Sequence, residues 1–268
     1  MKIIISPAKK MNIEDDVPIS MTAPALLKNT APLLKYLKGL NYDKLKELWQ
    51  CNDKIAGAQF ENLKSMDLES RLTPAIFAYE GLQYQYLKPQ LLTDEELLYL
   101  QNHLRILSGL YGVVKPFDGV VPYRLEMQTK TNLTYRGKHY PNLYEYWGDK
   151  IAKIIQREMK NSGEKVILNL ASKEYSKVVE PYLPKGIRLI ECVWYEEVIG
   201  KNDEKKMVVK GTNAKMARGE LGRFMAQNRV DSIEEVKKFT GMGFRYQGDL
   251  SDENRLVYLR ECDKESGP

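Results

Sequence analysis

"KVILNLASKEY", residues 165–175, runs as a near-continuous apolar stretch from Val166 to Leu170 and then stops in small polar residues. A short apolar run of this kind reads as a fully buried strand. "KIIIS" at residues 2–6 reads the same way, as a β-branched run stopped by Pro7. The two exits match. One is Ser6-Pro7-Ala8-Lys9 and the other carries Asn169, Ser172, Lys173, Glu174 and Tyr175. Small polar groups at the carboxyl ends of apolar strands sit where ligand crevices form in open sheets. Ser172 is also placed to cap the next helix and leave amide groups pointing at an anion. Ser6 and Ser172 as plain caps, and Asn169 as a hydrogen-bonded buried amide, remain the alternative.

Helices fill the space between these strands. Residues 23–57 read as two helices separated at Gly39 and Asn41. Thr93 and Glu96 form a capping box ahead of "ELLYLQNHLRIL", where Leu97, Leu100, Leu104 and Leu107 recur at helical spacing. "PNLYEYWGDKIAKIIQREMKNSG" predicts one long helix with Leu143, Trp147, Ile151, Ile154, Ile155 and Met159 on its apolar face, entered at Pro141 and ended at Gly163. Residues 187–199 and 206–211 read as a hairpin joined through "GKNDEKK". A basic helix over about 213–229 follows. Ser232 and Glu235 cap a short helix that ends at Gly241, and 244–247 with 255–260 predict a closing hairpin. The fold class expected is α+β, or mixed α/β: one compact domain over 1–268 with a central sheet and a helix-rich middle. A separately folding helical subdomain at about 20–110 is the alternative.

Composition excludes several classes. Hydrophobic residues make up 43% and charged residues 29%, an ordinary globular balance. No window approaches the ~18 consecutive apolar residues of a membrane span, so no membrane partner is expected. The three cysteines, Cys51, Cys192 and Cys262, are scattered and odd in number, which predicts a reduced, cytoplasmic protein. There is no G-x-x-x-x-G-K-[ST], no G-x-G-x-x-G after a strand and no G-x-S-x-G. His103 and His139 are the only histidines, and His103 falls on an amphipathic helix as a structural or exposed residue. No cofactor and no His/Cys metal site is expected; carboxylate-only metal binding stays open.

The net charge of +5 is local. Residues 201–229 hold eight Lys or Arg (Lys201, Lys205, Lys206, Lys210, Lys215, Arg218, Arg223, Arg229) against Asp203, Glu204 and Glu220. At about 100° per residue, Lys215, Arg218, Gly222 and Arg229 share a stripe, beside an apolar face of Ala217, Leu221, Phe224 and Met225. Gly222 and Ala226 would let a large anion approach. A plain solvated face is the competing reading.

"LSGLYGVVKPFDGVVPYRLEM" at 107–127 combines turn residues with Ser108, Tyr111, Lys115, Tyr123, Arg124 and Glu126. Helix, a tight turn holding Gly109 and Gly112, then an apolar pair, is similar to a helix-hairpin-helix element that offers backbone amides to a DNA phosphate. "PYRLEM" supplies a phenol, a guanidinium fork and a carboxylate for binding or proton transfer. On an extended stretch Arg124 and Glu126 face one way and Tyr123 and Leu125 the other. A surface Arg–Glu pair is the alternative.

These residues resemble a known family. "ISPAK" (5–9), "SGLYGV" (108–113), "PYRLEM" (122–127), "LYEYWGD" (143–149), "NLAS" with "EY" (169–175) and "AKMARG" (214–219) resemble, in order, the motifs of the YaaA family of peroxide-stress resistance proteins. The resemblance implies a single compact α/β fold with a positively charged cleft and a helix-hairpin-helix element. It also implies a cytoplasmic protein that binds DNA and limits iron-dependent damage under peroxide. Ser6, Pro7, Lys9, Arg124, Glu126, Asn169, Ser172, Glu174, Tyr175, Lys215, Arg218 and Gly219 match the family's motifs. Met216 stands where a second basic residue is common, which removes one potential phosphate contact. "AYEGLQY" at 78–84 follows the aromatic-glycine pattern loosely.

Two readings follow. In the first, DNA is held by backbone and shape through Ser108, Gly109, Tyr111, Gly112, Lys115, Asn169, Ser172, Lys215, Arg218, Arg223 and Arg229. In the second, an enzyme acts on a nucleotide, nucleoside or DNA base. Its pocket gathers Lys9, Arg124, Glu126, Asn169, Ser172 and Lys215, with Lys9, Arg124, Glu126 and Glu174 as the catalytic candidates. A base flipped into the cleft joins the two. Iron sequestration is disfavoured by the scarcity of His and Cys. One deep pocket would favour chemistry, and a shallow basic groove would favour binding alone.

Overall fold

The computed structural model describes residues 1–14, 17–199 and 204–261. Cys262, together with Lys201 and Asp203 of the "GKNDEKK" connection, lies outside the described residues.

The main sheet is built from β1 (Lys2–Ile5), β2 (Leu104–Ser108), β3 (Gly112–Val114), β4 (Val166–Leu170), β5 (Arg188–Ile199), β6 (Lys205–Val208), β7 (Arg245–Tyr246) and β8 (Arg255–Arg260). Its order is β7-β8-β5-β4-β1-β2-β3, with β6 paired to β5. The five strands from β8 to β2 run parallel, and β3, β6 and β7 are antiparallel additions at the margins. Burial on both faces explains why β1 and β4 are nearly all apolar, while β2 also buries Arg105 and Ser108. The fold is therefore mixed α/β, with both expected hairpins (β5–β6 and β7–β8) in place.

Helices α1 (Leu27–Lys38), α2 (Tyr42–Trp49), α3 (Asp53–Ser65), α4 (Leu82–Leu87), α5 (Asp94–His103), α6 (Leu143–Trp147), α7 (Lys150–Ser162), α8 (Lys173–Ser176) and α9 (Gly211–Asn228) contribute to the same apolar cluster as the sheet. Both capping boxes form, at Thr93–Glu96 and at Ser232–Glu235.

Three expectations are corrected. The helix expected to run through Leu107 ends at His103, and "LRILS" is β2, paired with β1 from Ile3–Leu104 to Ile5–Ile106. Leucines at 104 and 107 suit either period, and sheet pairing decides. Consequently the Gly109–Gly112 turn joins two antiparallel strands, not two helices, so no helix-hairpin-helix stands there. Finally, the long helix breaks after Trp147. Gly148 adopts φ 49°, ψ −129°, a conformation open to glycine and not to side-chain-bearing residues. The apolar face survives the break: Leu143, Trp147, Ile151, Ile155 and Met159 are buried and Ile154 partly so.

Candidate functional site

The order of the parallel strands creates one crevice. β1 leads to β2 on one side, whereas β4, on the other side of β1, leads outward to β5. Chain connections thus diverge between β1 and β4, and their carboxyl ends open a gap where the sheet changes winding direction. Those ends are the two serine exits. The Ser172 backbone N–H donates to Ser6 Oγ at 2.8 Å, and the Ser6 hydroxyl reaches Ser172 Oγ at 3.3 Å. Ser172 begins α8 but makes no side-chain cap, so its expected capping role is not realised.

Above the exits lies a cavity of about 350 Å³. α4 closes one side: Tyr84 Oη donates to the Ser6 carbonyl at 2.9 Å, and Gln83 Nε2 donates to the Leu170 carbonyl at 3.2 Å. α9 packs along α4, because Gly219 lets the helix backbone approach; a Cβ there would strike the Gln83 carbonyl. This contact brings Lys215 and Arg218 to the cavity wall. Opposite them runs 122–127, which joins no strand ladder yet alternates in burial, with Tyr123, Leu125 and Met127 buried and Arg124 and Glu126 less so. The predicted alternation therefore holds without a sheet.

The structure brings together Lys9, Arg124, Glu126, Ser172, Glu174, Lys215 and Arg218 around one cavity. Lys9 Nζ pairs with Glu126 Oε1 at 2.7 Å, and Arg124 Nη2 lies 3.8 Å from the same oxygen. Both Arg124 Nε and Arg218 Nε are out of reach of solvent and have no hydrogen-bond partner. Burial pulls Arg218 below the usual guanidinium range, against weaker support from Cys192 and Glu191. Glu174 moves the other way. Burial raises its carboxyl, the Gln128 N–H donating to it at 3.3 Å pulls it back, and the Glu126 charge raises it further.

Other sequence candidates lie elsewhere. Ser108, Gly109, Tyr111 and Gly112 are buried and offer no face to a phosphate. Ser108 Oγ sits 2.6 Å from Tyr123 Oη and accepts from the Tyr111 N–H at 2.9 Å. Gly109 is there for close approach: its carbonyl accepts from Trp147 Nε1 at 3.0 Å, and a Cβ would meet the Leu125 carbonyl oxygen. The turn thus holds "PYRLEM" from behind. Tyr123 lines the cavity, but its hydroxyl is shared between Ser108 and Tyr79, and burial pushes it up to about 12. Asn169 is buried, its Oδ1 accepting from the Ala171 N–H at 2.9 Å. Lys115 lies 3.5 Å from Glu158, the partner of buried Arg105. Arg223 pairs with Glu220, and Arg229 with Glu95. Gly222 and Ala226, expected to admit an anion, are buried, and a Cβ on Gly222 would touch Leu87 of α4.

Sequence reasoning missed α4 as a wall of the site. Its signal was "EGLQY", where Gln83 and Tyr84 put polar groups into an otherwise apolar segment. Among the described residues, no three His, Cys, Asp or Glu side chains gather to hold a metal ion, and no helix is long and apolar enough to cross a membrane.

A family model described as peroxide stress protein YaaA matches residues 1–250. A UPF0246 protein from Lachnoclostridium phytofermentans is 47% identical over 262 residues, covering 97% of this chain and 96% of that protein. UPF0246 proteins from Desulfitobacterium hafniense and Pediococcus pentosaceus are each 45% identical over 260 residues, covering 97% of this chain and 98% of theirs.

Proposed function

This chain belongs to the peroxide stress protein YaaA family, and from that premise we propose that its cavity binds one nucleotide, free or extruded from DNA, as the cytoplasmic basis of peroxide protection. The observation that carries this reading is the pair of guanidinium groups, Arg124 and Arg218, with unpartnered Nε atoms on one cavity. A buried donor without an acceptor is costly, and a buried charge more so, unless a ligand completes it. Two guanidinium forks match the oxygens of a phosphate.

Size favours a nucleotide over a duplex. At about 350 Å³ the cavity is at the small end of ligand pockets, so a DNA base must leave its stack to enter. Lys9, Lys10 and Lys215 are exposed around the opening, where flanking phosphates would run. On this reading iron-dependent damage is limited at the nucleic acid, not through an iron site. A catalytic reading is favoured by one further observation: Glu126 is ion-paired with Lys9 while Glu174 is desolvated, which gives two carboxylates of one cavity unequal environments for acid and base roles.

Calorimetric titration with nucleoside monophosphates, inorganic phosphate and a duplex carrying one unpaired base tests the proposal. Saturable binding should weaken by about tenfold or more in Arg124→Met and in Arg218→Met, the worth of one charged hydrogen bond. Unchanged affinity in both variants, or duplex binding that mononucleotide does not compete away, would overturn it.

A further inference from the structure

A second, larger cavity of about 800 Å³ adjoins the first, and Glu126 lines both. One wall is the end of α1 with α2, and the other is the segment that follows Glu126, from Gln128 to Asn132. The walls are tied together where the Asn132 N–H donates to Tyr36 Oη at 3.0 Å. We propose that this groove is a second subsite, which takes the nucleotide next to the one in the cavity, on a single strand of nucleic acid. The inference rests on the nucleotide reading of the first cavity and extends it.

Three features carry it. Trp49 lines the groove at only 5% exposure, and its Nε1 is buried without a partner. An indole N–H only donates, so an occupant that offers an acceptor would complete it. Secondly, Gln50, Gln128 and Asn132 place exposed carboxamides along the groove. Each offers a donor beside an acceptor, the pattern that base edges also present. Lastly, charge in the groove is mixed, with Lys44 and Lys130 against Glu47 and Glu126. A groove evolved for phosphate alone would be uniformly basic, whereas mixed charge with amides suits bases flanked by single phosphates. Continuity through Glu126 then sets the order: one nucleotide in the small cavity and its neighbour in the groove.

The test is fluorescence competition with oligothymidylates of one to four nucleotides, since thymine carries two carbonyl acceptors. Affinity of the wild-type chain should rise about tenfold between the mononucleotide and the dinucleotide, as one added base contact allows. Trp49→Phe keeps an aromatic ring, smaller than the indole, and loses the donor, and Gln128→Ala changes an exposed side chain. Each should reduce the gain from length while leaving mononucleotide affinity unchanged. A chain that binds mononucleotide but gains nothing with length, or that keeps its gain in both variants, overturns the groove alone. A chain that binds none of these probes overturns the cavity reading and the groove with it.

Discussion

Ser6 and Ser172, 166 residues apart in sequence, are joined by a 2.8 Å hydrogen bond from the Ser172 N–H to Ser6 Oγ. This bond crosses the line at which the sheet changes winding direction, so it fixes the floor of the cavity as well as the spacing of β1 and β4. Ser6→Ala removes the acceptor and strands a partly buried donor. Stability should fall by about 1–2 kcal/mol, read from denaturant midpoints, and nucleotide affinity should fall with it. A variant with the wild-type midpoint would show that the floor is held by the strand ladder alone.

Arg218 trades stability for binding. Its Nε has no acceptor and burial disfavours its charge, so Arg218→Met should raise the thermal midpoint of the ligand-free protein. Replacing an unpaired buried ion with an apolar side chain of similar length is worth about 1 kcal/mol or more. The same variant should lose the stabilisation that added nucleotide gives the wild type. A lowered midpoint in Arg218→Met would mean that the guanidinium is a structural contact.

How much of this was legible in the sequence follows from range of interaction. "KIIIS" and "KVILNLAS" announced buried strands because burial on both faces leaves mostly apolar residues, and both exits pointed to the crevice. Capping boxes and hairpins were local, and so were readable. The leucine pair in "LRILS" satisfies a helix and a strand alike, and only its pairing with Ile3–Ile5 decides. The polar pair in "EGLQY" does not by itself mark α4 as a cavity wall, because Gln83 and Tyr84 gain their meaning from Leu170 and Ser6, far away in sequence. The expected basic stripe of α9 does not stand as a charged face: Gly222 and Ala226 are buried, Gly222 against α4, Arg229 falls past the end of the helix with φ 50°, and only Lys215 and Arg218 reach the cavity, with Arg223 and Arg229 paired to Glu220 and Glu95.

Gly109 distinguishes a packing turn from a phosphate-binding one. Gly109→Ala drives a methyl group into the Leu125 carbonyl and should cost about 3 kcal/mol, the scale of an overpacked core. Thermal melting and expression in soluble form report the loss. A variant that melts as the wild type does but fails to bind a duplex would instead place this turn at a nucleic-acid surface.

Glu196 ties α9 to the sheet. Its buried carboxylate accepts from Asn213 Nδ2 at 2.5 Å and Arg260 Nη2 at 2.6 Å, with Lys210 Nζ 3.2 Å away. Burial opposes its ionisation, but these partners together hold it below the usual glutamate range. A depressed carboxylate stabilises the fold above its unfolded value near 4.5, and that stability is lost as pH falls through the lowered folded value. Glu196→Gln should therefore cost about 2 kcal/mol at neutral pH. The cost should shrink in acid denaturation profiles, and a constant difference across pH would remove Glu196 as the source.

Glu174 has the opposite sign. Its folded carboxyl is raised, chiefly by burial, so at neutral pH its charge opposes folding and also repels an anion in the same cavity. The stability it contributes is complete below the unfolded value near 4.5 and is lost as pH rises through the raised folded value. Affinity for a dinucleotide, whose phosphodiester keeps one charge over this range, should therefore increase as pH falls through the Glu174 transition. Glu126, Lys9 and the Gln128 N–H also face this carboxyl, so the variant must separate its share. Glu174→Gln should be more stable than the wild type at pH 7 and should bind the dinucleotide with a flatter pH profile. If catalysis also runs through this group, the variant will bind more tightly and turn over less. A pH profile that keeps its slope in Glu174→Gln would remove Glu174 as the group that titrates.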